Sequence, residues 1–270
     1  METIPKIIHY CWFGENSLSN DAVECIETWR QVCPDYQIKE WNEQNFNINC
    51  CPYVQEAYRE KKWAFVSDFA RFWILYNYGG IYFDTDVKIL KSITPIVEKG
   101  PFMAWEENGD EMEGPYVAPG LGLAYEKGND ICGQILRKYE SIHFVNANGT
   151  INTYDNVVRI TSDILKNNGL VFNKNFQTIH CVNIYPANYF CPMNKFTGEI
   201  KITEDTYTIH LYAATWLSDK EKKILEFEKK HRNSILIKNG VYKLFKNIYC
   251  YGLCGTLKKL NEKISKNEEI

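Results

Sequence analysis

The chain has 270 residues, 45% of them hydrophobic and 24% charged, which suffices for one sizeable core or a core domain with an appendage. A net charge of −3 argues against a nucleic-acid binder as a whole. No run approaches the roughly 18 apolar residues of a membrane-spanning helix. The charge is uneven. Residues 217–266 hold thirteen Lys/Arg against five Asp/Glu, a net of +8, whereas residues 1–216 hold eighteen against twenty-seven, a net of −9. The first six residues lack the apolar core of a secretory leader, so none is expected. The ten cysteines are then expected to be reduced thiols, and neither Cys50-Cys51 nor the Cys250/Cys254 pair makes a zinc framework.

In chain order, residues 4–14 read as a β-branched strand running to a turn at Gly14, with His9, Tyr10 and Trp12 towards its carboxyl end. Aromatic rings there could stack on a nucleotide base; they could equally be core. Ser19 or Asn20 caps a helix over 21–32 with Val23, Ile26 and Trp29 near helical spacing, and Pro34 ends it. Residues 36–42 alternate as a second strand. This order of elements predicts an α/β sandwich with a largely parallel sheet. The strongest helix is predicted over 61–78, with a stripe of Phe65, Phe69, Phe72, Trp73 and Tyr76. Asp68 and Arg71 share one of its faces, either as a surface ion pair or as a pair held beside a ligand.

Gly79 and Gly80 stop that helix and lead into Ile81-Tyr82-Phe83-Asp84-Thr85-Asp86. If this segment continues as a strand, Asp84 and Asp86 point to one side. They would then sit where open α/β sheets place ligands, at the carboxyl end of a strand. Two hard oxygen donors beside an anionic substrate suit Mn²⁺ or Mg²⁺. Further on, short strands are predicted at 102–105, within 116–124 and at 179–185, with helices at 129–139 and 157–166; Glu106 follows the first of these strands. The stretch 207–216 is a second site candidate: His210 closes a β-like run and Thr215 and Trp216 follow, offering a nitrogen, a hydroxyl and an indole N–H. A charged helix is predicted from 219 to 237. Beyond it Tyr242, Phe245, Tyr249 and Leu253 mix with Lys243, Lys246 and Lys258, as in a tail that caps the domain or lies on an anionic membrane.

Taken together these blocks resemble the DXD-containing glycosyltransferases with the GT-A fold, glycosyltransferase family 32 and the capsular-polysaccharide transferases grouped with it. The matching residues are Ile4-Pro5-Lys6-Ile7-Ile8-His9-Tyr10-x-Trp12, Ser67-Asp68-x-x-Arg71, Gly79-Gly80-Ile81-Tyr82-x-Asp84-x-Asp86, Ile184-Tyr185-Pro186 and Thr208-Ile209-His210 through Thr215-Trp216. The resemblance implies a GT-A domain over 1–216, a Rossmann-like, mostly parallel sheet flanked by helices; residues 217–270 carry no signature of it and read from their own charge pattern as a basic helical extension. It implies His9, Tyr10 and Trp12 at the nucleotide, and Asp68, Arg71 and Tyr82 at the donor sugar. Asp84 would meet both donor and metal, with Asp86 and His210 as further metal ligands and Thr215 and Trp216 on the leaving diphosphate. Asp84, Asp86, Asp68 and Arg71 are the residues that would carry catalysis. The implied activity is a retaining, metal-dependent transfer of a hexose from a nucleotide sugar, UDP-galactose or UDP-glucose before GDP-mannose. The implied acceptor is a glycan or lipid-linked oligosaccharide of a bacterial surface polysaccharide, handled in the cytoplasm or on the membrane's inner face. The residues themselves leave two other readings: a metal-dependent phosphatase or nucleotidyltransferase, which would lack a Gly-rich phosphate loop, and a non-catalytic nucleotide- or carbohydrate-binding protein.

Overall fold

The computed structural model describes residues 3–106, 116–152, 154–194 and 197–213. Thr215, Trp216 and the extension from 217, with its expected helix over 219–237, lie outside the described residues. Nine strands are described: β1 (Ile7–Cys11), β2 (Gln37–Trp41), β3 (Gly80–Tyr82), β4 (Val87–Ile89), β5 (Phe102–Ala104), β6 (Leu123–Tyr125), β7 (Gln177–Ile179), β8 (Val182–Tyr185) and β9 (Thr208–His210). The helices are α1 (Asn20–Val32), α2 (Pro52–Arg59), α3 (Trp63–Tyr78), α4 (Thr94–Val97), α5 (Asp130–Glu140), α6 (Val157–Asn167) and α7 (Ala187–Phe190). Seven strands form one sheet in the order β2-β1-β3-β6-β5-β8-β7, and β4 and β9 form a separate ribbon. β1 pairs parallel with β2 and β3, and β5 with β8; β6 and β7 pair antiparallel with their neighbours. Five strands therefore run one way and two the other, the expected mixed, mostly parallel sheet. Helices cover both faces, as parallel strands require. Alternation along β1 splits the core accordingly: Ile8 and Tyr10 pack towards α1 with Ile26 and Trp29, while Cys11 packs on the other side with Phe69 and Phe72 of α3.

Local chemistry explains the elements. Ser19 caps α1, its hydroxyl accepting from the Ala22 N–H. The buried face of α1 is Ala22, Cys25, Ile26 and Trp29; Val23, expected on it, is 48% exposed, one residue off the stripe. α2 was not legible in the sequence: it is short, and its apolar face of Tyr53, Val54 and Ala57 is interrupted by polar residues. α3 is buried nearly all round rather than along a stripe, so Asp68 and Arg71 are both enclosed. The joint between α3 and β3 needs both glycines. Gly79 and Gly80 have φ of 67° and 104°, and a Cβ on Gly80 would lie 2.8 Å from His9 Nε2 and from the Ile7 carbonyl.

Two expectations are corrected. The segment after Gly80 is not one strand carrying both aspartates. It leaves the main sheet after Tyr82, turns at residues 83–86, with the Val87 N–H donating to the Asp84 carbonyl, and resumes as β4 in the ribbon. Asp84 and Asp86 thus sit in a turn, and it is the turn, not the pleat, that brings them together. The strand expected over 179–185 is a hairpin, β7–β8, whose turn residues His180 and Cys181 have φ of 44° and 67°.

Candidate active site

The ribbon builds the site. β4 and β9 run antiparallel with Val87 opposite His210, so a histidine 124 positions after Asp86 arrives beside it. α1 holds β4 from behind: the Trp29 indole N–H donates to the Val87 carbonyl at 2.7 Å, and the Thr28 hydroxyl accepts from the Ile89 N–H at 3.0 Å. The start of the next segment closes on Asp86. The Leu211 N–H donates to its carbonyl at 3.0 Å and the Ala213 N–H to its Oδ2 at 2.9 Å.

Asp84, Asp86 and His210 each offer one ligand atom, and these atoms lie within 4.8 Å of one another. His210 Nε2 is 3.2 Å from Asp86 Oδ1 and 3.9 Å from Asp84 Oδ2. Burial alone would push the Asp84 carboxyl up, but Arg71 and His210 outweigh it and hold Asp84 ionised, below its ordinary value. His210 is pulled down by burial and up more strongly by Asp86 and Asp84, for a net rise. Its other nitrogen limits that rise: Nδ1 accepts the Tyr212 N–H at 3.2 Å, and an imidazolium would set two donors against each other there. The backbone therefore selects the neutral ring with its proton on Nε2, facing the carboxylates. Tyr212 itself adopts φ of 50°, unusual for a residue with a side chain. Two carboxylates and one imidazole suit a divalent cation of the Mg²⁺ or Mn²⁺ kind. Asp84 and Asp86 are ready donors, and His210 would join them by giving up its Nε2 proton.

Beside this cluster stands a second charged unit. Arg71 Nη2 lies 2.8 Å from Asp68 Oδ1 and 3.2 Å from Asp84 Oδ1. Its Nε donates to the Ser67 carbonyl, and its guanidinium stacks 5.0 Å over the Tyr82 ring. The Arg71 side chain is only 4% exposed. Burial opposes its charge, but Asp84, Tyr82 and Asp68 more than restore it. Burial raises the Asp68 carboxyl to about 7, with Arg71 opposing and Asp84 adding to the rise. Asp68 can therefore hold or release a proton near neutrality while Asp84 stays charged.

The structure brings together Asp68, Arg71, Tyr82, Asp84, Asp86 and His210. Tyr82 lies underneath, 1% exposed, its ring carrying Arg71. Tyr10 and Trp12 lie at the carboxyl end of β1, where Tyr10 donates to Glu40 Oε2 at 2.7 Å and the Trp12 indole donates to the Asn16 carbonyl. His9 is placed differently. It is fully buried, its Nδ1 accepts from the Trp41 indole at 3.0 Å, and its Nε2 faces the Gly79 carbonyl at 3.0 Å. Both nitrogens are engaged inside the fold, on the sheet face opposite Tyr10, which the period-two alternation of β1 dictates. Two residues assigned no role from sequence also border the cluster. The Tyr212 ring lies 4.5 Å from that of His210, and its hydroxyl donates to Glu106 Oε1 at 3.3 Å. Glu106 follows β5, so the strand-end rule that drew attention to Asp84 applied to it as well.

Residues 19–103, which include Asp68, Arg71, Asp84 and Asp86, match the family model described as "Glycosyltransferase sugar-binding region containing DXD motif". Two curated proteins of Schizosaccharomyces pombe are similar. Inositol phosphoceramide mannosyltransferase 1 is 30% identical over 113 residues, 38% of this chain and 34% of that protein. Inositol phosphoceramide mannosyltransferase 3 is 26% identical over 145 residues, 52% of this chain and 38% of that protein. The chain thus spans little more than a third of the length of these relatives. A solved glycosyltransferase involved in glycosylation of the major capsid of PBCV-1 superposes with a TM-score of 0.46 at 12% identity, over 78% of this chain and 96% of that one. Residues 19–103 thus match the sugar-binding, DXD-bearing region described for glycosyltransferases, within a fold built on a mixed, mostly parallel sheet flanked by helices.

Proposed function

We propose that the protein is a metal-dependent, retaining glycosyltransferase that moves a hexose from a nucleotide sugar to a glycan or a lipid-linked oligosaccharide. The observation that carries this reading is the convergence of Asp84, Asp86 and His210 within 4.8 Å, next to the enclosed Asp68–Arg71 pair. Asp84, Asp86 and His210 would hold Mn²⁺ or Mg²⁺, which when bound supplies charge neutralisation for a departing diphosphate. Arg71, fixed from below by Tyr82, presents a permanent positive charge on the donor side. Asp68, titrating near neutrality, accepts from or donates to sugar hydroxyls. Trp12, half-buried at the end of β1, flanks the base, whereas Tyr10 packs edge-on against Trp29 in the core; Thr215 and Trp216 steady the diphosphate. His9, with both nitrogens engaged, serves the sheet rather than the donor.

Retention comes from the resemblance. The preferred route is same-face attack in which the leaving phosphate takes the acceptor's proton. Trapping a covalent glycosyl-enzyme in a denatured sample would count against it. The sugar has two readings. The sequence resemblance favours UDP-galactose or UDP-glucose in bacterial surface-polysaccharide synthesis, whereas both matched relatives are named mannosyltransferases, which favours mannose. Hydrolysis of a panel of UDP- and GDP-sugars with Mn²⁺, read as nucleotide release, separates these readings. A well-folded preparation that turns over none of them would leave a binding protein. The basic residues of 217–266 are proposed to hold the enzyme at an anionic membrane face; among the described residues no helix is long and apolar enough to cross one.

A further inference from the structure

The geometry points to Gly120 as a positioning residue for the Asp84 carboxylate, which occupies the space its side chain would need. This rests on the metal-site reading above. Gly120 lies in the short 3-10 turn Pro119–Leu121 before β6, far in sequence from the aspartates. Glycine is usually required where φ is positive, and several glycines of this chain meet that condition. Gly120 does not, so its backbone would accept alanine. The constraint is space. A Cβ built there lies 2.2 Å from Asp84 Oδ2 and 3.3 Å from its Cγ, well inside any real contact, whereas Arg71 Nη1, at 3.6 Å, is at ordinary distance. The Gly120 carbonyl also faces the Asp84 N–H, at 3.5 Å.

The Asp84 carboxylate is held from three sides. Arg71 takes Oδ1 at 3.2 Å, His210 approaches Oδ2 at 3.9 Å, and the bare Cα of Gly120 bounds the third. A methyl at position 120 must displace Oδ2. Because Oδ2 is the oxygen facing His210, that displacement breaks the convergence of Asp84 with Asp86 and His210. Tight packing turns this into a discrete loss, since Phe83 and Leu121 on either side are buried and leave the turn nowhere to retreat.

The test is a cycle of four proteins: wild type, Gly120→Ala, Asp84→Ala and the double variant, each measured for metal-free melting temperature and for Mn²⁺ affinity by electron paramagnetic resonance. Gly120→Ala is expected to weaken Mn²⁺ binding at least tenfold and to lower the melting temperature by a few degrees. In the Asp84→Ala background, where the methyl meets nothing closer than Arg71, the same change is expected to move the melting temperature by less than a degree. If Gly120→Ala alone does not fold, recovery of folding in the double variant gives the same answer. Wild-type Mn²⁺ affinity in Gly120→Ala, or an undiminished effect in the Asp84→Ala background, overturns the assignment. If the wild type binds no Mn²⁺, the metal reading fails while the melting cycle still decides the role of Gly120.

Discussion

His9 and His210 are both buried histidines on strands, with relative exposures of 0% and 8%, and their surroundings make them opposites. His9 lies between an indole N–H and a backbone carbonyl, with no carboxylate of the described residues hydrogen-bonded to it; burial drives its pKa down to about 4. His210 meets the same burial, but two carboxylates outweigh it. The lesson is that burial sets a common cost and the partners decide the use. A histidine with both nitrogens engaged by neutral groups is part of the scaffold. One whose ring nitrogen faces two carboxylates is part of a site.

The sharpest way to break this comparison is at the site end. Removing the Asp86 carboxylate leaves His210 Nε2 and the Ala213 N–H without their acceptor and takes away a metal donor. Asp86→Ala is expected to cut Mn²⁺-dependent nucleotide release by about 10²–10³-fold, as loss of a main charge-stabilising group does. The far-UV spectrum should be unchanged. Near-wild-type turnover would move the site elsewhere. Arg71→Met tests the neighbouring charged unit through stability. It leaves Asp68 and Asp84 beside each other without their shared cation, which for a broken buried pair costs about 3–5 kcal/mol. The lower end is expected because Asp68, already near 7, can relieve part of the strain by taking up a proton. Urea unfolding at pH 8 and pH 6 measures it, with the smaller deficit at pH 6.

How much of this was readable beforehand follows from the range of each signal. The α3 helix, its glycine stop, and the Asp68, Arg71, Asp84 and Asp86 group were legible because they fall in one continuous stretch, residues 63–86, and obey local rules of period and punctuation. The face of Val23 was missed by one residue, within the slack of helical spacing. The departure of β4 from the main sheet was not legible. It depends on Trp29 and Thr28 capturing the Val87 carbonyl and the Ile89 N–H, contacts spanning about 60 positions. Gly120 was invisible for a similar reason: nothing local marks it, and its role exists only because Asp84 folds against it. His9 and His210 looked alike in sequence, each towards the carboxyl end of a β-like run, and only their three-dimensional partners separate them.

At the scaffold end, His9→Gln is expected to destabilise the fold by about 1–3 kcal/mol at pH 7.5, through the Trp41 N–H or the Gly79 carbonyl left short of a partner. It also changes the pH profile. The unfolded chain binds the imidazole proton near pH 6.5 and the folded chain only near 4, so the unfolded state holds more protons in between. Stability from this group is therefore complete above pH 6.5 and declines as pH falls towards 4, by about 3 kcal/mol in total. Asp68 acts in the opposite sense over part of that range, because its folded pKa is raised. The quantity to follow is thus the difference between wild type and variant, which should shrink on acidification. A constant difference from pH 7.5 to 4.5 would mean that His9 is not held neutral.

The smallest effect expected is the most discriminating. Glutamine at position 210 keeps an N–H near Asp86 and Asp84 but has no imidazole nitrogen to offer a cation. His210→Gln should therefore leave the urea midpoint within error of wild type and weaken Mn²⁺ binding about tenfold, about 1.4 kcal/mol. His9→Gln should do the reverse, lowering the midpoint and leaving Mn²⁺ affinity as it was. Measured side by side, the pair forms a crossed test in which each substitution serves as the other's control. A loss of 10²-fold or more in metal affinity at position 210 would make the imidazole a principal ligand on a par with Asp86. No change would reduce it to a donor that steadies two carboxylates, a role that the Tyr212 N–H on Nδ1 already equips it for. Equal effects of both substitutions on both quantities would dissolve the distinction between scaffold and site on which the contrast rests.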